Sequence, residues 1–342
     1  MFKKKQLKDK ALIIAEVGQN HQGNSKIAAD YIRQFSQLGA DIIKFQTREN
    51  KTLFSKNAYN KAYNSENAFA EIYGKHREKL ELKKKDLINL RKLCKKNKVK
   101  FMSTPFDKTS LKLLLNIGVD LIKIASFDLG NLSLIENIAK SKVPTVLSTG
   151  GGKLDHIKES VKILSKHNSN IAILHCVSEY PCDVKSLGLE KIKKLCKLFP
   201  KFSIGLSDHF NGILSGPVAY MMGARVFEKH VTLNRAWKGS DHKFALEPNG
   251  FRLFTRDIKR VPLMMKEKKL SLIGKEPVFN KLGKSIIAAK NLKKGHRIQL
   301  SDIDGMIFEK QFMPIRETHK VINKKLKKNL IKGEPLNNQH FK

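Results

Sequence analysis

Long apolar runs are missing from this chain. None approaches the roughly 18–20 residues that cross a bilayer, so no membrane span is expected. Cysteine is scarce: Cys94, Cys176, Cys182 and Cys196 are the only four, with no CxxC spacing and no dense framework. That excludes a disulfide scaffold and fits a reduced compartment. The basic opening, 1–10, runs into an apolar segment broken at Glu16. A secretory leader is therefore not expected, and the cytoplasm is. Acidic residues are few, 31 against 67 Lys and Arg, which leaves a formal charge of +36. The excess is 56 lysines against 11 arginines, spread as solvent-facing pairs such as Lys95-Lys96 and Lys193-Lys194. No aromatic-interleaved basic cluster accompanies them, so a nucleic-acid partner is not expected. A field of this sign still draws anionic small molecules inward. Nor does a GxGxxG follow the first apolar run, which weakens a dinucleotide-binding reading.

What the chain has is a regular beat. Eight short β-branched runs each end in residues able to do chemistry: Glu16; Lys44 and Gln46; Ser103-Thr104; Lys123 and Ser126; Ser148-Thr149; His175; Ser207-Asp208-His209; and Glu228 with His230. Helical spacing fills the gaps at 24–38, 82–97, 107–117, 131–141, 153–167, 184–198, 212–222 and 246–269. Such alternation predicts a parallel sheet with crossover helices. Eight strands with chemistry at their C-terminal ends predict an α/β fold, a closed (β/α)8 TIM barrel, with its site at that face. The insertion 48–81 is too long for an ordinary loop and reads as a lid. From 284 the texture changes to short β runs with Lys-Gly turns. The expected domains are 1–270 as barrel, 271–283 as linker and 284–342 as a small β-rich domain.

Three constellations stand out. His209 and His230 close adjacent strands, and two imidazoles at one mouth suit either a divalent transition metal or a pair of hydrogen-bonded pocket histidines. Lys44 and Lys123 sit near strand ends beside Thr104, Ser126, Ser148 and Ser207. They read as a pocket for phosphate and carboxylate, or as structural ion pairs with Glu16 and Asp128. Glu16 and Asp128 are the carboxylates for proton transfer; among lysines they favour the ionised, basic form. Gly150-Gly151-Gly152 is either an anion-binding nest or, the preferred reading, a permissive turn. His21, His76 and His175 read as supporting or structural. The glycine-punctuated run Lys238 to Lys243 reads as a loop over the mouth.

Ordered strings along nearly the whole chain resemble the sialic acid (N-acetylneuraminate, nonulosonate) synthase family. They include Ala15-Glu16-Val17-Gly18-Gln19-Asn20-His21, Lys44-Phe45-Gln46-Thr47, Lys123-Ile124-Ala125-Ser126, Gly205-Leu206-Ser207-Asp208-His209, Glu228-Lys229-His230 and Gly239-Ser240-Asp241-His242-Lys243. The tail resembles the family's antifreeze-like SAF domain, a β-clip. The resemblance implies condensation of phosphoenolpyruvate with an open-chain N-acetylated amino sugar and water, giving a nine-carbon 2-keto sugar acid and phosphate. It implies that His209 and His230 hold a divalent metal, manganese with magnesium or cobalt as alternatives, which binds the aldehyde oxygen. It implies catalytic roles for Glu16, Lys44, Lys123 and Asp128, and a phosphoenolpyruvate cradle of Lys44, Thr104, Lys123, Ser126, Ser148 and Ser207. Gln46, Ser178, Tyr180 and Asp241 become substrate contacts. A domain-exchanged homodimer follows from it too, with Arg316 as the small domain's candidate for reaching the sugar.

The chain departs from the pattern in places. Phe127-Asp128 stands where many members have Gly-Glu, Ser178 where some have Asn, and no Lys-Arg-Pro stretch aligns around 308–316. Either N-acetylmannosamine or a 2,4-diacetamido-trideoxyhexose is therefore an admissible sugar. Condensation with another aldose is the alternative activity, and an inactive sugar-binding scaffold the alternative without one.

Overall fold

The computed structural model describes residues 1–2, 7–267 and 269–341, with the side chain of Ser271 also left aside. It falls into two compact units, Met1–Met265 and Lys266–Lys342. The first is the expected closed barrel. Its strands are β1 (Leu12–Gly18), β2 (Ile42–Thr47), β3 (Lys100–Pro105), β4 (Leu121–Ile124), β5 (Thr145–Ser148), β6 (Ile171–Cys176), β7 (Ser203–Asp208) and β8 (Val226–His230). Each pairs in parallel with the next, and β1 closes on β8 with Glu16 opposite His230.

The side-chain period of two sorts these strands into layers. Ile14, Ile42, Met102, Leu121, Val146, Ala172, Leu174 and Val226 fill the barrel's interior, joined by Phe2 and Leu7. Their neighbours Ile13, Ile43, Phe101, Ile122, Leu147, Ile173, Ile204 and Phe227 face the helices in a larger core. Above the apolar interior, the same inward parity delivers Glu16, Lys44, Thr104, Lys123, Ser148, Cys176, Ser207 and Glu228 to the mouth. The helices follow sequence signals. Asn24 caps the helix Ser25–Gln37 by accepting from the Lys26 and Ile27 amides, and that helix buries Ala28, Tyr31, Ile32 and Phe35.

Some expectations are corrected. The helix expected over 184–198 begins only at Glu190, after a 3₁₀ turn Val184–Ser186. Gly188, at φ +53°, breaks the run between them. The insertion 48–81 carries three short helices, Asn50–Leu53, Lys56–Asn60 and Tyr73–Lys79. The last helix of the first unit spans Pro248–Met264; residue 268 of the expected 246–269 segment lies outside the described residues.

In the second unit, the stretch read as linker holds a helix, Pro277–Leu282, with proline in the first turn where its missing N–H costs nothing. Strands β9 (Lys284–Ala288) and β10 (Ile303–Ile307) pair antiparallel. A small core gathers Ile286, Leu292, Ile298, Val321, Leu326, Leu330, Leu336 and Phe341. Leu300–Asp302 is a 3₁₀ turn. No described helix is long and apolar enough to cross a membrane.

Candidate active site

A cavity of ≈ 300 Å³ opens at the C-terminal ends of the strands, where the barrel's loops converge. Glu16, Lys44, Gln46, Thr104, Lys123, Ser126, Ser148, Tyr180, Ser207, His209, His230 and Asp241 all line it. Three of these, Glu16, Lys44 and Lys123, are deeply buried and form one network with Glu228. Lys123 Nζ lies 2.8 Å from both carboxylate oxygens of Glu228. Lys44 Nζ lies 2.9 Å from Glu16 Oε2 and 3.5 Å from Glu228 Oε1. Lys44 also reaches Thr104 Oγ1 at 3.4 Å, and Ser207 Oγ donates to Glu228 Oε1 at 3.1 Å. Two lysines thus face two glutamates, so the cradle is close to neutral by itself.

The two carboxylates are not equivalent. Burial pushes Glu16 up, opposed by Lys44 and reinforced by the nearby Glu228 charge. Burial acts on Glu228 too, but Lys123 and Lys44 together hold it well below the usual carboxylate range. Environments that drive two carboxyls apart separate a proton carrier from a permanent anion. Glu16 is therefore the group suited to moving a proton, and Gln46 Nε2 holds its other oxygen at 2.8 Å.

The two histidines sit side by side, ring centroids 5.4 Å apart, with Tyr180 at 4.1 Å from His209 and Phe244 at 5.0 Å from His230. His209 Nδ1 lies 2.6 Å from the Val177 carbonyl. A carbonyl only accepts, so Nδ1 carries a proton and Nε2 is the nitrogen left for a metal. Burial lowers the ring's pKa, but Cys176 and the Val177 carbonyl outweigh it and raise the value. His230 Nδ1 is buried and has no hydrogen-bond partner. Burial drives its pKa down to about 3, leaving the neutral imidazole that metals prefer. Among the described residues no group of three or more His, Cys, Asp or Glu is arranged to hold a metal. The donor set fits a cation that takes two imidazoles from the chain and its other ligands from elsewhere.

Three expected site residues lie apart. Asp128 does not line the cavity; it sits in the turn Ser126–Asp128 and accepts from Asn131 Nδ2 at 2.9 Å, while its neighbour Phe127 faces the cavity. The second lysine's partner is accordingly Glu228, not Asp128. Ser178 is also off the lining, its Oγ 3.9 Å from Cys176 Sγ. Arg316 belongs to the second unit, where it donates to the Gly274 carbonyl at 2.8 Å and stacks over Phe279. His175 points outward and bonds the Leu187 carbonyl at 2.7 Å. Gly151, at φ +66°, makes the triglycine a turn.

Other lining residues were given no role from the sequence: Glu228, noted only as a strand-end residue, Cys176, and Arg48 and Arg77 from the insertion. Glu228 and Cys176 had a signal, since each shares the inward parity of His230 and Leu174. Arg48 had none. Its guanidinium stacks 3.9 Å over Phe106 and donates to Gln46 Oε1 at 2.5 Å, contacts that only the folded insertion brings about.

A closed eight-stranded barrel with buried lysines, a buried carboxyl of raised pKa and a pair of imidazoles at its mouth has the make-up of an enzyme. The chain belongs to the NeuB family, whose model matches residues 31–270. It is 34% identical to the N-acetylneuraminate-9-phosphate synthase of Drosophila melanogaster, over 96% of this chain and 95% of that one. It is 36% identical to the N,N'-diacetyllegionaminic acid synthase of Campylobacter jejuni, over 84% and 87% respectively. The crystal structure of N-acetylneuraminic acid synthetase from Leptospira borgpetersenii, in complex with citrate, superposes with a TM-score of 0.69 at 30% identity. It covers 80% of this chain and 92% of its own.

Proposed function

We propose that the cavity condenses phosphoenolpyruvate with an open-chain N-acetylated amino sugar to give a nine-carbon 2-keto sugar acid. The observation that carries this is the Lys44–Glu16–Glu228–Lys123 network lying beside the His209–His230 pair. C3 of phosphoenolpyruvate attacks the sugar aldehyde carbon, water adds at C2, and the C2–O bond to phosphate breaks. Lys44 and Lys123, with Thr104, Ser126, Ser148 and Ser207, hold phosphoenolpyruvate. Ser148 Oγ supports this, since it is buried in the lining and lacks any partner in the free chain. Glu16 takes the proton from the attacking water and returns it on collapse. His209 and His230 would hold a divalent cation, manganese first, with Tyr180 packed on one ring and Asp241 beside the other. Such a cation supplies Lewis acidity toward a carbonyl oxygen.

N-acetylmannosamine and 2,4-diacetamido-trideoxyhexoses are the acceptor classes this reading admits. The second unit is read as an antifreeze-like domain that completes the site of a domain-exchanged homodimer, with 1–270, 271–283 and 284–342 as barrel, linker and small domain, in a cytoplasmic enzyme. An inactive scaffold is disfavoured because a buried four-charge network is costly to keep without use. The test is chromatography with mass spectrometry after incubation with phosphoenolpyruvate, manganese and a panel of N-acetylated sugars. A product three carbons longer than its sugar, equimolar with phosphate, supports the proposal. Folded, metal-loaded protein inert across the panel contradicts it.

A further inference from the structure

Three side chains run in file from the neck of the insertion to the Glu16 carboxyl. Arg48 opens the insertion 48–81 and Glu81 closes it. Arg48 N donates to Glu81 Oε2 at 3.1 Å, and Arg48 Nη1 donates to Glu81 Oε1 at 3.5 Å. The same guanidinium lies 3.9 Å over the Phe106 ring, and its other arm, Nη2, donates to Gln46 Oε1 at 2.5 Å. Gln46 Nε2 in turn donates to Glu16 Oε1 at 2.8 Å. Burial and the neighbouring Arg77 charge lower the Arg48 pKa only to about 10, so it stays a cation at neutral pH.

The file has a direction. A guanidinium offers only donors and a carboxylate only acceptors, so the amide between them faces one way. Turned over, Gln46 would set its NH2 against Arg48 and its carbonyl against Glu16, at the cost of two charge-assisted hydrogen bonds. The consequence falls on Glu16. Its Oε1 is held as an acceptor, and Oε2 is left as the oxygen that can take up a proton. Oε2 is buried, with Lys44 Nζ 2.9 Å away and no aligned hydrogen bond. The backbone closes in on the same contact: at Gly18, with φ +56°, a Cβ would stand 3.2 Å from Gln46 Nε2 and 3.3 Å from Glu16 Oε1. The charges that face Glu16 are Lys44 on β2 and Glu228 on β8, with Asp241 across the Gly18 turn. Arg48 bears on it through the amide.

We propose that Arg48 is a positioning residue for the condensation: it locks Gln46 as the donor to Glu16 Oε1, so that Glu16 exchanges protons with water through Oε2. This rests on the reading above, in which Glu16 takes the proton of the attacking water. That proton leaves the water for Oε2 and returns on collapse to the departing phosphate, while Arg48 and Gln46 keep theirs throughout. With the arginine gone, the amide is free to turn whenever Glu16 is protonated and to offer its carbonyl to the acid. That pose favours the neutral carboxyl and weakens the base. The insertion thereby takes part in the chemistry through the arginine at its neck.

The experiment measures kcat, both KM values and the pH dependence of kcat/KM with phosphoenolpyruvate, manganese and the accepted sugar. The enzymes are wild type, Arg48→Met, Arg48→Lys, Gln46→Met, and each Arg48 substitution combined with Gln46→Met. Arg48→Lys keeps a cation beside Glu81 and guards against misfolding of Arg48→Met; one ammonium does not reproduce the planar fork that spans Glu81 and Gln46. Both Arg48 variants are expected to lose roughly 10- to 100-fold in kcat, the scale of a misplaced reacting group, with each KM within about 3-fold. The acidic limb of the profile should move to higher pH, because the Gln46 bond that favours the ionised Glu16 is loosened. In the double variants the loss should match that of Gln46→Met alone, since the arginine acts through the amide. Losses that add in the double variants, a kcat loss with no movement of the acidic limb, or a rise in either KM with kcat kept each overturn the positioning role and leave the condensation intact. A wild type inert on every sugar overturns both together.

Discussion

Lys229 Nζ lies 2.7 Å from Asp208 Oδ2 on the outside of the barrel, and each residue immediately precedes a histidine that faces the cavity. Both side chains are 1% exposed. Asp208 also accepts from Ser215 Oγ and Phe210 N, and Lys229 donates to the Phe210 carbonyl. The alternation of β7 and β8 makes this one device: outward, an ion pair ties the strand ends; inward, His209 and His230 stand side by side.

Loosening that tie should loosen the histidines. Lys229→Met leaves the Asp208 carboxylate buried without its cation and is expected to cost about 3–5 kcal/mol of stability. Asp208→Asn with Lys229→Met should recover part of that loss. In the double variant, manganese affinity followed by electron paramagnetic resonance should fall roughly 10- to 100-fold, the usual effect of removing a group that orients a ligand. Unchanged affinity would separate the pair from the histidines' function.

Glu16 and Asp128 should respond differently to loss of charge. Glu16→Gln removes the carboxyl that burial has pushed upward and is expected to lower kcat by roughly 10²–10⁴-fold with the fold retained. Asp128→Asn keeps a partner for Asn131 and should change kcat by less than about 3-fold, within ordinary scatter for a residue off the cavity. Steady-state kinetics on the two purified variants decides the matter, and a large loss in Asp128→Asn would return that residue to the mechanism.

Lys123→Met strips Glu228 of its closest cation. The KM for phosphoenolpyruvate should rise at least about 10-fold, as expected for a lost charged contact, with a smaller change in the KM for the sugar. Initial rates over a grid of both substrates separate the two. Equal effects on both would place the lysine's role in structure alone.

In the second unit, Asp302 is 2% exposed by side chain and accepts from His296 Nε2 at 2.7 Å and Gln299 N at 2.8 Å, with Lys290 Nζ at 2.8 Å. Burial works to raise its pKa, but these partners hold it below the usual carboxylate range. A depressed carboxylate contributes stability that is present above its unfolded pKa, about 4, and is lost as pH falls below it. Asp302→Ala should cost about 2 kcal/mol at pH 7 and progressively less as the pH falls from about 4 toward the depressed folded pKa, so that the cost is already smaller near pH 3. Hydrogen exchange across 284–341 of the full chain, at both pH values, measures this.

Much of this was legible beforehand because strand parity is local. Once Ile14 is inside, Glu16 is inside, and the same count carries Lys44, Thr104, Lys123, Ser148 and Ser207 to one mouth. Pairings across the barrel were not legible. Lys123 and Glu228 are 105 positions apart, and only closure of the sheet shows that Glu228, rather than Asp128, is the second lysine's partner. The helix start at Glu190 depended on a positive φ at Gly188, which no hydrophobic period reveals. The insertion's arginines were hidden for a similar reason: Arg48 and Arg77 acquire meaning only where the folded insertion places them on the cavity wall.

Phosphoenolpyruvate labelled with ¹⁸O at its bridging oxygen tests the central claim most directly. Incubated with enzyme, manganese and the accepted sugar, it is followed by mass spectrometry of both products. The account predicts that all the label leaves with phosphate and that the sugar acid's 2-keto oxygen comes from water. Label retained in a keto acid, or release of pyruvate without a nine-carbon product, would contradict attack at the aldehyde followed by C–O cleavage.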